Sequence, residues 1–120
     1  MKTGDVTINF GSEALIEEPE LIDSLTSFSS QGPRDLDSLI KPEVAAPGLQ
    51  IISADVGKGN KGVKLGGTSM AAPHIAGIAA LLVQHRPNLA PAQIKSLIMN
   101  SGDLISDKDG ANYPISRQGA

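Results

Sequence analysis

The stretch Gly66-Gly67-Thr68-Ser69-Met70-Ala71-Ala72-Pro73-His74-Ile75-Ala76-Gly77 decides how the rest of the chain is read. Two glycines let the backbone turn sharply and let another segment approach closely. Two hydroxyl residues follow, and then Ser69 to His85 carries apolar side chains on every side of a helical wheel, the pattern of a helix buried all round. At ~1.5 Å per residue it is on the order of 25 Å long. Its start offers unpaired N–H groups and the positive end of the helix dipole. A serine there can attack a carbonyl while neighbouring N–H groups hold the oxyanion that forms. The plainer reading is that Thr68 or Ser69 caps the helix.

Outward from this point the chain alternates short strands and turns. Val63 to Leu65 leads into the glycines, and the flexible, basic loop Gly57-Lys58-Gly59-Asn60-Lys61-Gly62 precedes it. Leu49 to Ala54 reads as a strand, and Val44 to Ala46 as a short buried one closed by Pro47-Gly48. Ser27 to Pro33 is turn-rich. Val6, Ile8 and Phe10 alternate with Asp5, Thr7 and Asn9 as a half-buried strand. Glu13 to Asp23 is an acidic connection lacking the regular ligand spacing of a calcium loop. Beyond the long helix, Arg86-Pro87-Asn88 is a stop. A second helix is predicted from Pro91 to about Asn100, with Ile94, Leu97 and Ile98 as its apolar stripe. Residues 103–120 read as a polar loop.

Composition narrows the function. The chain has 120 residues, 40% of them apolar and 19% charged, which suits one modest folded domain. It has no cysteine, which excludes a disulfide scaffold, a thiolate zinc site and a cysteine nucleophile, and leaves the redox compartment open. A net charge of −3 and two Phe with one Tyr argue against a nucleic-acid partner, which needs clustered bases or stacking platforms. Met1 to Phe10 has no apolar run behind its lysine and does not read as a signal peptide, and no apolar run approaches the roughly 20 residues of a membrane span. Residues 57–64 do not form a phosphate-binding loop.

The segment from Gly67 to Gly77 closely resembles the active-serine signature of the subtilisin-like serine peptidases. Ser27-Phe28-Ser29-Ser30-Gln31-Gly32-Pro33, Lys41-Pro42-Glu43-Val44-Ala45-Ala46-Pro47-Gly48 and Pro91-Ala92-Gln93-Ile94-Lys95-Ser96-Leu97-Ile98 are similar to the family's flanking segments. The resemblance implies an α/β fold, part of a three-layer arrangement with a mostly parallel sheet. It implies Ser69 as the acylated nucleophile, its own N–H in the oxyanion hole, Thr68 close by, Gly67 forming the turn and Met70 lying against the serine. It implies protein or peptide substrates and, by family habit, secretion. No cofactor is implied; calcium is frequent in the family, but no convincing ligand set stands in this sequence. Residues 1–23 then read as an N-terminal strand and connecting segment, and 24–120 as the C-terminal portion of the peptidase domain.

The chain departs from the pattern in one respect. Such peptidases order their triad Asp, His, Ser, and residues 1–68 contain no histidine. His74 lies ~140° around the helix from Ser69 and ~7.5 Å along it, out of reach, and His85 is on the order of 24 Å away. Neither Asn9 nor Asn60 has the surroundings of the family's oxyanion asparagine. An esterase-type elbow would place its acid and histidine after the serine; no histidine follows His85, and no Asp or Glu lies between Ser69 and His85. The expectation is a partial chain with the nucleophile but without its base, inactive alone and needing the remainder of the domain. The alternative is a catalytically silent structural or interaction module on the same scaffold. Either way, the buried-type helix needs partners on all sides, so the 120-residue chain is expected to leave an apolar patch exposed.

Overall fold

The computed structural model describes residues 22–119. The predicted strand at residues 5–10 and nearly all of the acidic connection lie outside them. Within them the order is β1 (Ile51–Ala54), β2 (Gly62–Leu65), α1 (Thr68–His85), α2 (Pro91–Asn100) and α3 (Ile115–Gln118). This is a mixture of helices with a small sheet, consistent with part of an α/β domain.

The sheet differs from the expected mostly parallel one. Among the described residues β1 and β2 form an antiparallel pair, with Ile51 opposite Leu65 and Ala54 opposite Gly62. Residues 55–61 are the whole connection, far shorter than the dozen or more residues that a parallel crossover needs. Gly57 and Gly59 take positive φ in that loop, at 71° and 68°. The basic loop is thus a hairpin turn.

Val44 to Ala46 is not a regular strand. It makes one isolated bridge, Val44 with Gly119, because Pro42 and Pro47 remove two ladder donors around it. The tail is also more ordered than a polar loop. Ser106 bridges Asn112, and α3 follows Pro114. The Gln118 side chain, 6% exposed, accepts from the Ile105 N–H at 2.8 Å and donates to the Tyr113 carbonyl. Gly32 N–H reaches the Ser116 carbonyl at 2.8 Å, and Arg117 leans to the Thr26 carbonyl at 3.4 Å. The tail therefore clasps the segments that precede β1.

Helix α1 ends where Arg86 N–H bonds the Leu82 carbonyl and Pro87 stops the next turn. Helix α2 begins at Pro91, and Gln93 reaches back to the Ala90 N–H at 2.8 Å. Gln93 thus caps the helix from an exposed position. The two helices pack together, and Ile98 on α2 is the one buried apolar residue among those described. The all-round burial expected of α1 is absent: no residue of it is buried. Ala71, Ile75, Ala79 and Leu82 form a half-covered stripe at spacings of four, four and three. Leu81, Ile78 and Val83 stand 66%, 44% and 45% exposed. The apolar patch expected of a chain this size is present, and it lies along this helix.

Candidate active site

Ser69 owes its place to the turn before it. Gly67 is the residue immediately ahead of α1 and has φ 154° and ψ 162°, a conformation that L side chains rarely adopt. Its N–H donates to the Gly48 carbonyl at 2.8 Å, and its own carbonyl accepts from Met70 N–H at 2.9 Å. Gly48 is the supporting wall. A Cβ there would come within 2.7 Å of the Gly67 carbonyl and 3.2 Å of the Ala71 Cβ. Two glycines, nineteen positions apart in the sequence, thus touch backbone to backbone and fix where the helix starts.

The glycine ahead of the helix has no side chain to cap it, and neither Thr68 nor Ser69 takes that role. Thr68 and Ser69 are the first two helical residues, and both are exposed. Among the described residues nothing accepts from their backbone N–H groups, and the Ser69 hydroxyl has no partner. The site therefore offers an accessible hydroxyl beside two unpaired N–H donors at the positive end of an 18-residue helix.

Met70 is half-buried, with its sulfur 3.8 Å from the place where a Gly67 Cβ would sit. The thioether thus packs on the same turn that holds the serine. Pro73 stands in the second turn, further in than a first-turn proline. It cannot donate to the Ser69 carbonyl one turn back. His74 donates from Nδ1 to the Met70 carbonyl at 3.0 Å, so its ring is engaged with its own helix. His85 closes the far end of α1.

An apolar cavity of about 600 Å³ opens beside the start of α1, lined among others by Leu25, Phe28, Val44, Leu49, Ala72 and Ile75. Among the described residues no three His, Asp or Glu side chains gather as a metal site. None of their helices is long and apolar enough to cross a membrane.

Glu43 went unassigned in the sequence. Its Oε1 takes both Lys41 Nζ and Lys95 Nζ, the latter at 2.5 Å. Hydrogen bonds from Lys41 first and Lys95 second pull its carboxyl from the usual 4.5 to about 2. The signal was present only as a Lys-Pro-Glu run and a distant lysine, and no spacing rule joins positions 43 and 95.

The described geometry is a hydroxyl presented on a glycine turn at a helix start. Comparison with known proteins goes further: the chain matches the Subtilase family, Peptidase S8, over residues 20–120. It is 38% identical to the minor extracellular protease Vpr of Bacillus subtilis (strain 168), over 100% of this chain and 15% of that protein. A subtilisin-like protease of Glycine max is 38% identical over 96% of this chain and 16% of its own length. The serine protease AprX of Bacillus subtilis is 40% identical over 76% of this chain and 23% of its own. The chain belongs to the subtilase family of serine peptidases. It spans about a sixth of the length of the first two of these relatives.

Proposed function

We propose that residues 24–120 are the serine-bearing C-terminal part of a subtilisin-like endopeptidase domain, whose complete form is a three-layer α/β structure with a mostly parallel sheet. Ser69 Oγ attacks the scissile carbonyl of a peptide. Its proton passes to a histidine held outside residues 1–120, and from there to the leaving amine as the C–N bond breaks. Water then hydrolyses the acyl-enzyme. The Ser69 N–H, at the positive helix end, contributes to the oxyanion hole, with Thr68 beside it, Gly67 shaping the turn and Met70 packed against it. The remainder of the catalytic domain is the partner that supplies the base, its aspartate and an oxyanion side chain. No step in this scheme draws on a cofactor. Secretion is proposed by analogy with the extracellular protease Vpr.

The observation that carries this reading is the exposed Ser69 hydroxyl at the start of α1, which, like the N–H groups beside it, has no partner among the described residues. A catalytically silent module is the second reading, favoured by the absence of any histidine in residues 1–68. Fluorophosphonate labelling separates the two. In the complete polypeptide that contains residues 1–120, the probe is expected on Ser69, and Ser69→Ala abolishes labelling. Residues 1–120 alone label weakly or not at all, because nothing activates the hydroxyl. Equal labelling of the Ser69→Ala variant overturns the nucleophile assignment. No labelling of the complete polypeptide supports the silent module.

A further inference from the structure

The Ser69 turn is held from a distance. The Gly67 N–H hangs on the Gly48 carbonyl at 2.8 Å. Gly48 ends the run 43–48, which is half-covered except at exposed Pro47 and contains no helix or regular strand of its own. At its other end that run is anchored on two sides. Val44 bridges Gly119, whose Cα lies so near that an added Cβ would meet the Glu43 carbonyl carbon at 2.5 Å. Glu43 joins Lys41 in the same run and Lys95 on α2, 52 positions on. Helix α2 packs in turn on α1, the helix that begins at the serine. The contacts close a ring: Ser69 turn, Gly48, Glu43, Lys95, α2, α1. Among the described residues the Glu43–Lys95 pair is the ionic link of that ring.

We infer that Glu43 is a positioning residue for the Ser69 turn, acting through Gly48 and Gly67 by tying their segment to α2. Its catalytic meaning rests on the reading of Ser69 as nucleophile; its effect on the turn is measured without any chemistry at Ser69. The carboxylate is 24% exposed and both lysines share one of its oxygens, so neutralising it releases two cations together. The charged groups that face it are Lys41, Lys95 and, further off, Arg34, itself bound to Asp37.

The test is residue-resolved hydrogen exchange in the complete polypeptide containing residues 1–120, with the β1–β2 hairpin amides as the internal control. Glu43→Gln and Lys95→Met should each speed exchange of the Gly67 N–H on the order of 10-fold while the hairpin amides hold. The double variant should add little to Glu43→Gln, because that substitution already removes the link to Lys95. Glu43→Asp should restore part of the protection. In the parent, acidification should reproduce the substitution. The pairing favours the ionised carboxylate, so protection is held above about pH 4.5 and lost as the pH falls through about 2. Gly67 exchange within about twofold of the parent in both single variants overturns the proposal. So does equal loosening of the hairpin, which makes Glu43 a general stabiliser. Loss of fluorophosphonate labelling in the parent would refute the nucleophile reading and leave this exchange result standing.

Discussion

At the scale of single residues, the site is built more by what is missing than by what is present. Gly67 holds a backbone conformation that a β-carbon disfavours, and Gly48 leaves room for the Gly67 carbonyl to lie against it. The chemistry proposed for Ser69 needs the hydroxyl to face outward from the first helical turn, and the contact of the two glycines sets where that turn begins. Gly48→Ala puts a Cβ 2.7 Å from a backbone oxygen, which cannot swing aside as a side chain would. The turn must shift by several tenths of an ångström. Misplacement on that scale at a reacting group is expected to slow acylation by about 10- to 100-fold. Fluorophosphonate labelling rates of the complete polypeptide check this. A Gly48→Ala rate equal to the parent's would show that the turn is positioned by some other contact. The sequence displayed Gly67 and Ser69 openly, through their order next to an apolar helix. It gave no sign that Gly48 is the partner, because a contact between two side-chain-free residues leaves no pattern of hydrophobicity or charge.

Among the elements, the helices and both strands were legible, and the pairing of the strands was not. Helix α2 runs from Pro91 to Asn100 as its proline start and its Ile94, Leu97, Ile98 stripe imply. Helix α1 begins one residue earlier than expected, at Thr68, since Gly67 alone supplies the break. Strand direction was different, because short apolar runs announce strands without saying how they pair. Only the length of the 55–61 connection bears on it, and that length allows an antiparallel hairpin. The bridge of Val44 to Gly119 and the clasp of α3 were also unreadable, since both join the middle of the chain to its far end through backbone groups. The two helices also divide the stability unevenly. Ile98 on α2 is 9% exposed, whereas Leu81 on α1 is 66% exposed. In residues 1–120 alone, Ile98→Ala is expected to cost about 2–4 kcal/mol by loss of packing. Below the concentration at which that chain self-associates, Leu81→Lys should change its stability by no more than about 0.5 kcal/mol. Urea titrations of both variants give the comparison. A costly Leu81→Lys would mean that the outer face of α1 is already covered.

For the whole molecule, one long helix sets the terms. Helix α1 has the composition of a central helix, apolar on every side, yet among the described residues only one stripe of it is half-covered. Ile78, Leu81 and Val83 face outward, and the cavity by Leu25, Phe28 and Ile75 opens next to the helix start. Burial of one such side chain contributes about 1.5–3 kcal/mol, so each one left uncovered is stability that a covering partner would add. The chain spans about a sixth of relatives such as Vpr, and the apolar surface it exposes is what a larger domain would cover. Residues 1–120 produced alone are therefore expected to bind a hydrophobic dye such as ANS strongly and to self-associate at micromolar concentration. Adding the serine-less half of a subtilase domain in trans should suppress both, because it competes for the same face. The Leu81→Lys substitution, nearly neutral in the isolated chain, should then weaken the trans association by about 10-fold or more, since it buries a charge at the joint. Dye fluorescence and sedimentation velocity read both effects. An isolated chain that stays monomeric and dye-silent would show that α1 finds its cover inside residues 1–120, and the partial-domain reading would fall with it.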